Sequence, residues 1–155
     1  MARAAAPHGG WWQAVSESAQ ATREQLAASL AQSPFQQLLG LRLEAFDREA
    51  QTVIIRCAYG PNVERGRGTG QYHGGVIASV IDIAGDYALM AVLGHGVPTI
   101  NFRVDYLRAA FASDLLAHAR VRKAGRTVGV VDIDVQDSEG RLIAVGRACY
   151  ATQAG

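Results

Sequence analysis

Only two cysteines, Cys57 and Cys149, occur in the 155 residues, far apart and without CxxC spacing. That excludes a disulfide framework and a cysteine-based zinc site, and two reduced, buried thiols are expected instead. Charge of one sign is also missing: 15 Lys and Arg stand against 14 Asp and Glu. The chain therefore has no global electrostatic footprint for nucleic acid. No apolar run reaches about 18 residues without a polar break, and the opening MARAAAPHGGWW holds no continuous apolar segment, so neither a membrane span nor a signal peptide is expected. His, Cys and carboxylate residues nowhere fall at metal-ligand spacing, and no metal is expected. These absences leave a soluble, cytoplasmic protein with no nucleic-acid or membrane partner. Its 49% hydrophobic composition suits one globular domain with a real core.

What is present is a strong pattern in the middle of the chain. From Gln71 to Leu93, QYHGGVIASVIDIAGDYALMAVL, apolar residues Val76, Ile77, Val80, Ile81, Ala84, Ala88 and Ala91 recur at helical steps. This predicts a buried central helix. Gly74 and Gly75 at its start leave backbone N–H groups uncovered at the positive end of the helix dipole. Asp82 lies within the apolar run, where an ionised carboxylate is costly unless something pairs with it or uses it. Asp86, one turn later, competes for the same role.

Before that stretch, Trp11 to Ala31 reads as an accessory helix with a weak apolar stripe, packing on its own or a neighbouring subunit. His8-Gly9-Gly10 repeats the later HGG but is a decoy, because no strand can precede it. Ser33 and Pro34 open a short helix that Gly40 ends. Leu41 to Phe46 and Thr52 to Tyr59 then read as a hairpin. Gly60 to Gly70, GPNVERGRGTG, matches neither a dinucleotide fingerprint nor a P-loop and is expected to be a loop. After Gly96 the period changes to two, predicting strands over Thr99–Leu107, Asp114–Lys123, Thr127–Gln136 and Arg141–Ala151. Short links make the last three successive antiparallel partners, with Val131, Ile133 and Val135 facing the helix and Asp132, Asp134 and Gln136 facing away.

HGGVIASVIDIA (His73–Ala84), DYLRAA (Asp105–Ala110) and the closing GRLIAVGRACY (Gly140–Tyr150) together resemble the hotdog-fold acyl-CoA thioesterases of the phenylacetate type (PaaI-like), over about residues 35 to 152. The resemblance implies an α+β hotdog fold, an antiparallel sheet wrapped around a long central helix. Residues 1–32 would be an N-terminal helical extension and residues 33–155 the hotdog domain. By position, Asp82 corresponds to the family's catalytic carboxylate, acting as nucleophile or as base for water. Gly74 corresponds to the residue whose N–H polarises the thioester carbonyl, Thr99 to the hydroxyl that positions water or carboxylate, and His73 to the motif histidine. An Asn usual six residues before that histidine is Arg67 here, which leaves Asn62 or Gln71 to help hold the carbonyl; Gly75, next to Gly74, is a further substrate-binding candidate. No cofactor is implied, since coenzyme A belongs to the substrate.

Thioester hydrolysis suits such equipment, because a thiol of pKa about 8.5 leaves without a strong general acid. It needs an oxyanion donor and a carboxylate. Eight helical residues separate Gly74 from Asp82 by about 12 Å, too far to serve one carbonyl from one chain. Two chains must meet, in a homodimer with antiparallel central helices or a homotetramer built from two such pairs. Arg103, Arg108, Arg122, Lys123 and Arg126 form a basic excess suited to the phosphates of coenzyme A. Two other readings stand beside hydrolysis: a non-catalytic acyl-CoA-binding module, and a hydratase acting on enoyl or 3-hydroxyacyl thioesters.

Overall fold

The computed structural model describes residues 21–153. The accessory helix appears as α1 (Arg23–Gln32), and the part assigned to Trp11–Gln20, with the decoy His8-Gly9-Gly10, lies outside the described residues. Its start is set locally: Thr22 and Gln25 form a reciprocal capping box that satisfies one backbone donor each way. Leu26 and Leu30 are buried, Arg23 donates to the Glu44 carbonyl, and Tyr87 reaches across to Ser29. This helix therefore packs on its own subunit, the choice that its weak stripe left open.

After α2 (Pro34–Leu38), Gly40 turns the chain at φ 63° into β1 (Leu41–Asp47), which pairs with β2 (Thr52–Cys57) as the expected hairpin. The long helix α3 (Gly74–Leu93) follows, and Gly94 ends it in the left-handed region, its N–H on the Met90 carbonyl. The remaining strands are β3 (Thr99–Tyr106), β4 (Leu115–Ala124), β5 (Val128–Asp137) and β6 (Leu142–Ala151). All pairings are antiparallel, in the order β1-β2-β4-β5-β6-β3.

The sheet wraps α3 with one face. Ile55, Leu115, Ala117, Ala119, Val131, Ile133, Val135, Ala144 and Ala148 meet the helix and are buried, as the alternation of β5 predicts. Close approach depends on glycine at two points. A Cβ on Gly85 would lie 2.1 Å from the Tyr150 hydroxyl, and one on Gly146 would lie 2.5 Å from Ile81. On the outer face charges are paired instead: Asp132 receives Arg147 at 2.6 Å and Arg122 at 3.3 Å, while Arg56 bridges Glu44 and Asp114. α3 is long and apolar enough to cross a membrane, but here it is the core helix of the sheet.

One strand is largely exposed. β3 pairs only with β6 and lies at the sheet edge, leaving Ile100 54%, Phe102 40% and Tyr106 53% exposed. Its inward residues find no second strand to close over them. An apolar, unpaired edge is what proteins cover or pair.

Candidate active site

The start of α3 is built by His73. Its backbone is extended (φ −71°, ψ 132°), its ring Nδ1 accepts the Gly75 N–H at 2.9 Å and its carbonyl accepts the Val76 N–H. Accepting through Nδ1 places the proton of the neutral ring on Nε2. A Cβ on Gly75 would lie 3.0 Å from that Nδ1, so the ring covers the second amide only because the residue is glycine. The Gly74 N–H, by contrast, meets no acceptor among the described residues. Gly74 lines a cavity of about 360 Å³ together with Gln71, Ile77, Tyr106, Leu107 and Arg108. Across this cavity Tyr106 Oη donates to the Gly74 carbonyl at 2.8 Å, tying the end of β3 to the start of the helix.

Two turns along, Asp82 is half-buried and its Oδ1 accepts the Thr99 hydroxyl at 2.8 Å. Burial raises its pKa above the ordinary carboxylate value, and the Thr99 hydrogen bond partly offsets this. Tyr150 Oη donates to the Asp82 backbone carbonyl at 2.7 Å, which fixes this turn of the helix against β6. Asp86 is engaged differently, accepting the Val97 N–H at 2.9 Å. Burial pushes it up to about 7, against the Val97 bond and with help from the Asp82 charge.

The structure brings Asp82 and Thr99 together, and separately His73, Gly74, Gly75 and Gln71. It does not join the two groups within one chain. Gln71 lines the cavity, and Arg65 donates to its Oε1 at 3.3 Å, leaving the amide N–H₂ as the free donor. Asn62 sits in the short 3₁₀ turn Pro61–Val63 and is exposed, as is Arg67. The glycine-rich loop is organised by Glu64, whose carboxylate takes the N–H groups of Gly68 (2.6 Å) and Gly70 (3.3 Å) and the Tyr59 hydroxyl. Its amides are already occupied by an internal anion.

Of the basic residues, Arg108 lines the cavity and donates to the Leu142 carbonyl at 2.9 Å. Arg103 is paired with Asp105 and Arg122 with Asp132. Lys123 and Arg126 are exposed at the β4–β5 hairpin, the end of the sheet that holds Thr99 rather than Tyr106. Sequence reasoning missed Tyr106, Tyr150 and the Asp86–Val97 contact. Tyr106 sits in the DYLRAA motif, whose position beside the helix start only the sheet order reveals. For Tyr150 the available signal was Gly85, a glycine within an otherwise apolar helix, which marks a close neighbour.

The thioesterase superfamily profile matches residues 69–144, the span that carries Gly74, Asp82, Thr99 and Tyr106. A putative esterase of Halobacterium salinarum is 41% identical over 95 residues, covering 55% of this chain and 62% of that protein, so the chain spans less than two thirds of it. The medium/long-chain acyl-CoA thioesterase YigI of Escherichia coli K12 is 27% identical over 132 residues, 76% of this chain and 84% of the relative. Among solved structures, one described as a thioesterase-superfamily protein superposes with TM-score 0.77 at 32% identity, covering 83% of this chain and 96% of its own. The PaaI protein from the phenylacetic acid degradation operon of E. coli follows at TM-score 0.72 and 25% identity, covering 83% and 89%. With its hotdog sheet, its buried helix and these matches, the chain belongs to the thioesterase superfamily.

Proposed function

We propose that this thioester hydrolase cleaves aromatic or medium-chain acyl-CoA to the free acid and coenzyme A at a site shared between two chains. The observation that carries the reading is the pairing of a free helix-terminal donor, Gly74 N–H, with a carboxylate two turns away that is held by Thr99. Eight residues at 1.5 Å rise separate them by about 12 Å. Antiparallel packing of two α3 helices about a two-fold axis places Gly74 of one protomer beside Asp82 of its partner and forms two equivalent sites. The exposed β3 edge, with Ile100, Phe102 and Tyr106, supports such pairing.

In the shared site the thioester carbonyl oxygen points at Gly74 N–H, and the Gln71 amide supplies the second donor in place of the family's Asn. Thr99 occupies Oδ1 of Asp82, which leaves Oδ2 for chemistry. As base, Oδ2 takes a proton from water while the oxygen attacks the carbonyl carbon. As nucleophile, Oδ2 attacks that carbon itself and water then cleaves the acyl–aspartate. Either way the tetrahedral oxyanion collapses by breaking the C–S bond, and coenzyme A departs as thiolate. His73, with Nδ1 committed to Gly75, organises the helix start. Arg108 lies at the cavity rim for the coenzyme A moiety. The two-fold that moves Asp82 to the partner's Gly74 also turns the hairpin bearing Arg122, Lys123 and Arg126 toward the partner's cavity.

The test is thiol release from a panel of aromatic and aliphatic acyl-CoA substrates by wild type and Asp82→Ala, with binding followed on the same samples. Release that collapses in the variant while binding survives is the expected result. Binding without release from any substrate identifies a binding module instead, and turnover of crotonyl-CoA without thiol release identifies a hydratase.

A further inference from the structure

Asp86 is a carboxylate that the hydrolytic scheme leaves unused. It sits one turn after Asp82 on α3, and its Oδ1 accepts the Val97 N–H at 2.9 Å. Val97 belongs to the link Gly94–Pro98, which must reverse the chain from the end of α3 into β3. That link has few restraints of its own: two glycines, and a proline without an N–H. Its side toward the sheet is held by the Ala151 N–H on the Pro98 carbonyl at 2.8 Å, and its side toward the helix by Asp86. Thr99 comes next. The β3–β6 register slips between Thr99 and Asn101, so the strand ladder is irregular at the residue whose hydroxyl must meet Asp82.

We propose that Asp86 is a positioning residue for the hydrolytic reaction: by clamping the Gly94–Pro98 link to α3, it sets the Thr99 hydroxyl against Asp82. The choice of a carboxylate supports this. Asn or Ser would satisfy the Val97 N–H at lower desolvation cost than a partly buried acid. A charge-assisted hydrogen bond, however, is roughly twice as strong as a neutral one. The groups facing Asp86 are Asp82 on the same helix face, Tyr87 beside it and Tyr150 from β6, while His95 lies two residues before Val97 in the link. Tyr87 is committed to Ser29 and Gln36, Tyr150 to the Asp82 carbonyl, and the His95 ring lies 3.1 Å from the Gly96 carbonyl oxygen. Asp86 titrates near pH 7, where its ionisation tightens the Val97 bond and, as a second negative charge one turn away, strengthens Asp82 as a base. Both effects act in one direction, so kcat rises as pH rises through this range.

This rests on the assignment of Asp82 as the reacting carboxylate, and the experiment separates the two. The kcat and KM of wild type, Asp86→Ala and Asp86→Asn are measured on acyl-CoA between about pH 5.5 and about pH 8.5. On the same substrate-free proteins the Val97 amide shift is followed by NMR. Expected are a wild-type kcat inflection near pH 7 shared by the Val97 amide, and loss of about tenfold in kcat with unchanged KM for Asp86→Ala. Asp86→Asn, which keeps the acceptor oxygen, recovers kcat to within about threefold while the inflection disappears. Wild-type kcat in Asp86→Ala, an inflection that persists in Asp86→Asn, or a Val97 amide flat across the range would each overturn the proposal. The Asp86→Asn profile decides if Asp86→Ala does not fold. Absence of acyl-CoA hydrolysis by wild type would sink the Asp82 assignment alone, since the Val97 titration still reads the clamp.

Discussion

The two halves of α3 are made differently. Its first turn opens with two glycines, is lightly covered, leaves the Gly74 N–H without an acceptor among the described residues and borders a cavity. Its middle packs into the core, carries the partly buried Asp82 and Asp86, and presents acceptors. Electrostatics explains the division: the positive helix end suits a developing oxyanion, whereas a carboxylate gains basicity inside the apolar core, away from that end. In the proposed scheme a single helix thus carries both halves of the hydrolytic site and, by its own rigidity, keeps them apart, which would couple catalysis to assembly.

The sharpest way to break that comparison is to remove one half at a time. Asp82→Asn is expected to cost about 10²- to 10⁴-fold in kcat with acyl-CoA binding retained, measured by thiol release beside calorimetry. Gly74→Pro deletes only the donor: proline is tolerated at the first helical position, and the extended backbone of His73 suits a following proline. It should lower kcat by about 10²-fold, with far-ultraviolet circular dichroism unchanged. Unfolding and refolding the two inactive variants together should restore about a quarter of wild-type activity, because half of the dimers then carry one intact site. No recovery on mixing would rule out a site shared between chains.

Smaller effects sharpen the picture. Thr99→Ala is expected to lower kcat by about tenfold through the freed Asp82, read as kcat against KM. Charge reversal at Arg122, Lys123 and Arg126 together should raise KM for acyl-CoA a few-fold without changing kcat, and an unchanged KM removes these residues from the phosphate site. Stability responds to the second carboxylate as well. Because the folded protein holds the Asp86 proton up to about pH 7 whereas the unfolded chain releases it near 3.8, stability falls as pH rises between these values and levels above them. Melting temperatures across this range should show that slope in wild type, and a flatter one in Asp86→Asn.

Much of this was legible in the residues. The helical period from Val76 to Ala91 and the strand alternation after Thr99 lie in local chemistry, so their elements formed within a residue or two of the expected bounds. The HGG stretch and the acid nine residues after His73 marked both halves of the candidate site. Three features had no local signature. β3 shows the same period of two as the other strands, yet it lies at an exposed edge, because strand order depends on which pairs cover α3. The basic excess looked continuous in one dimension, whereas pairing of Arg103 with Asp105 and Arg122 with Asp132 divides it. Asp86 gave no sign of its partner eleven residues later.

What the sequence by itself determined is whatever depends on neighbours a few residues apart: the central helix with its glycine start, the period of the strands, and the half-buried acid within the apolar run. Only the tertiary structure decided which hydroxyl meets that acid, which tyrosines pin the helix, and where the cations fall. The physical reason is range. Helical and strand periods are properties of short backbone segments, whereas Thr99 with Asp82, Tyr106 with Gly74 and Tyr150 with Gly85 are contacts that exist only after the sheet has closed on the helix.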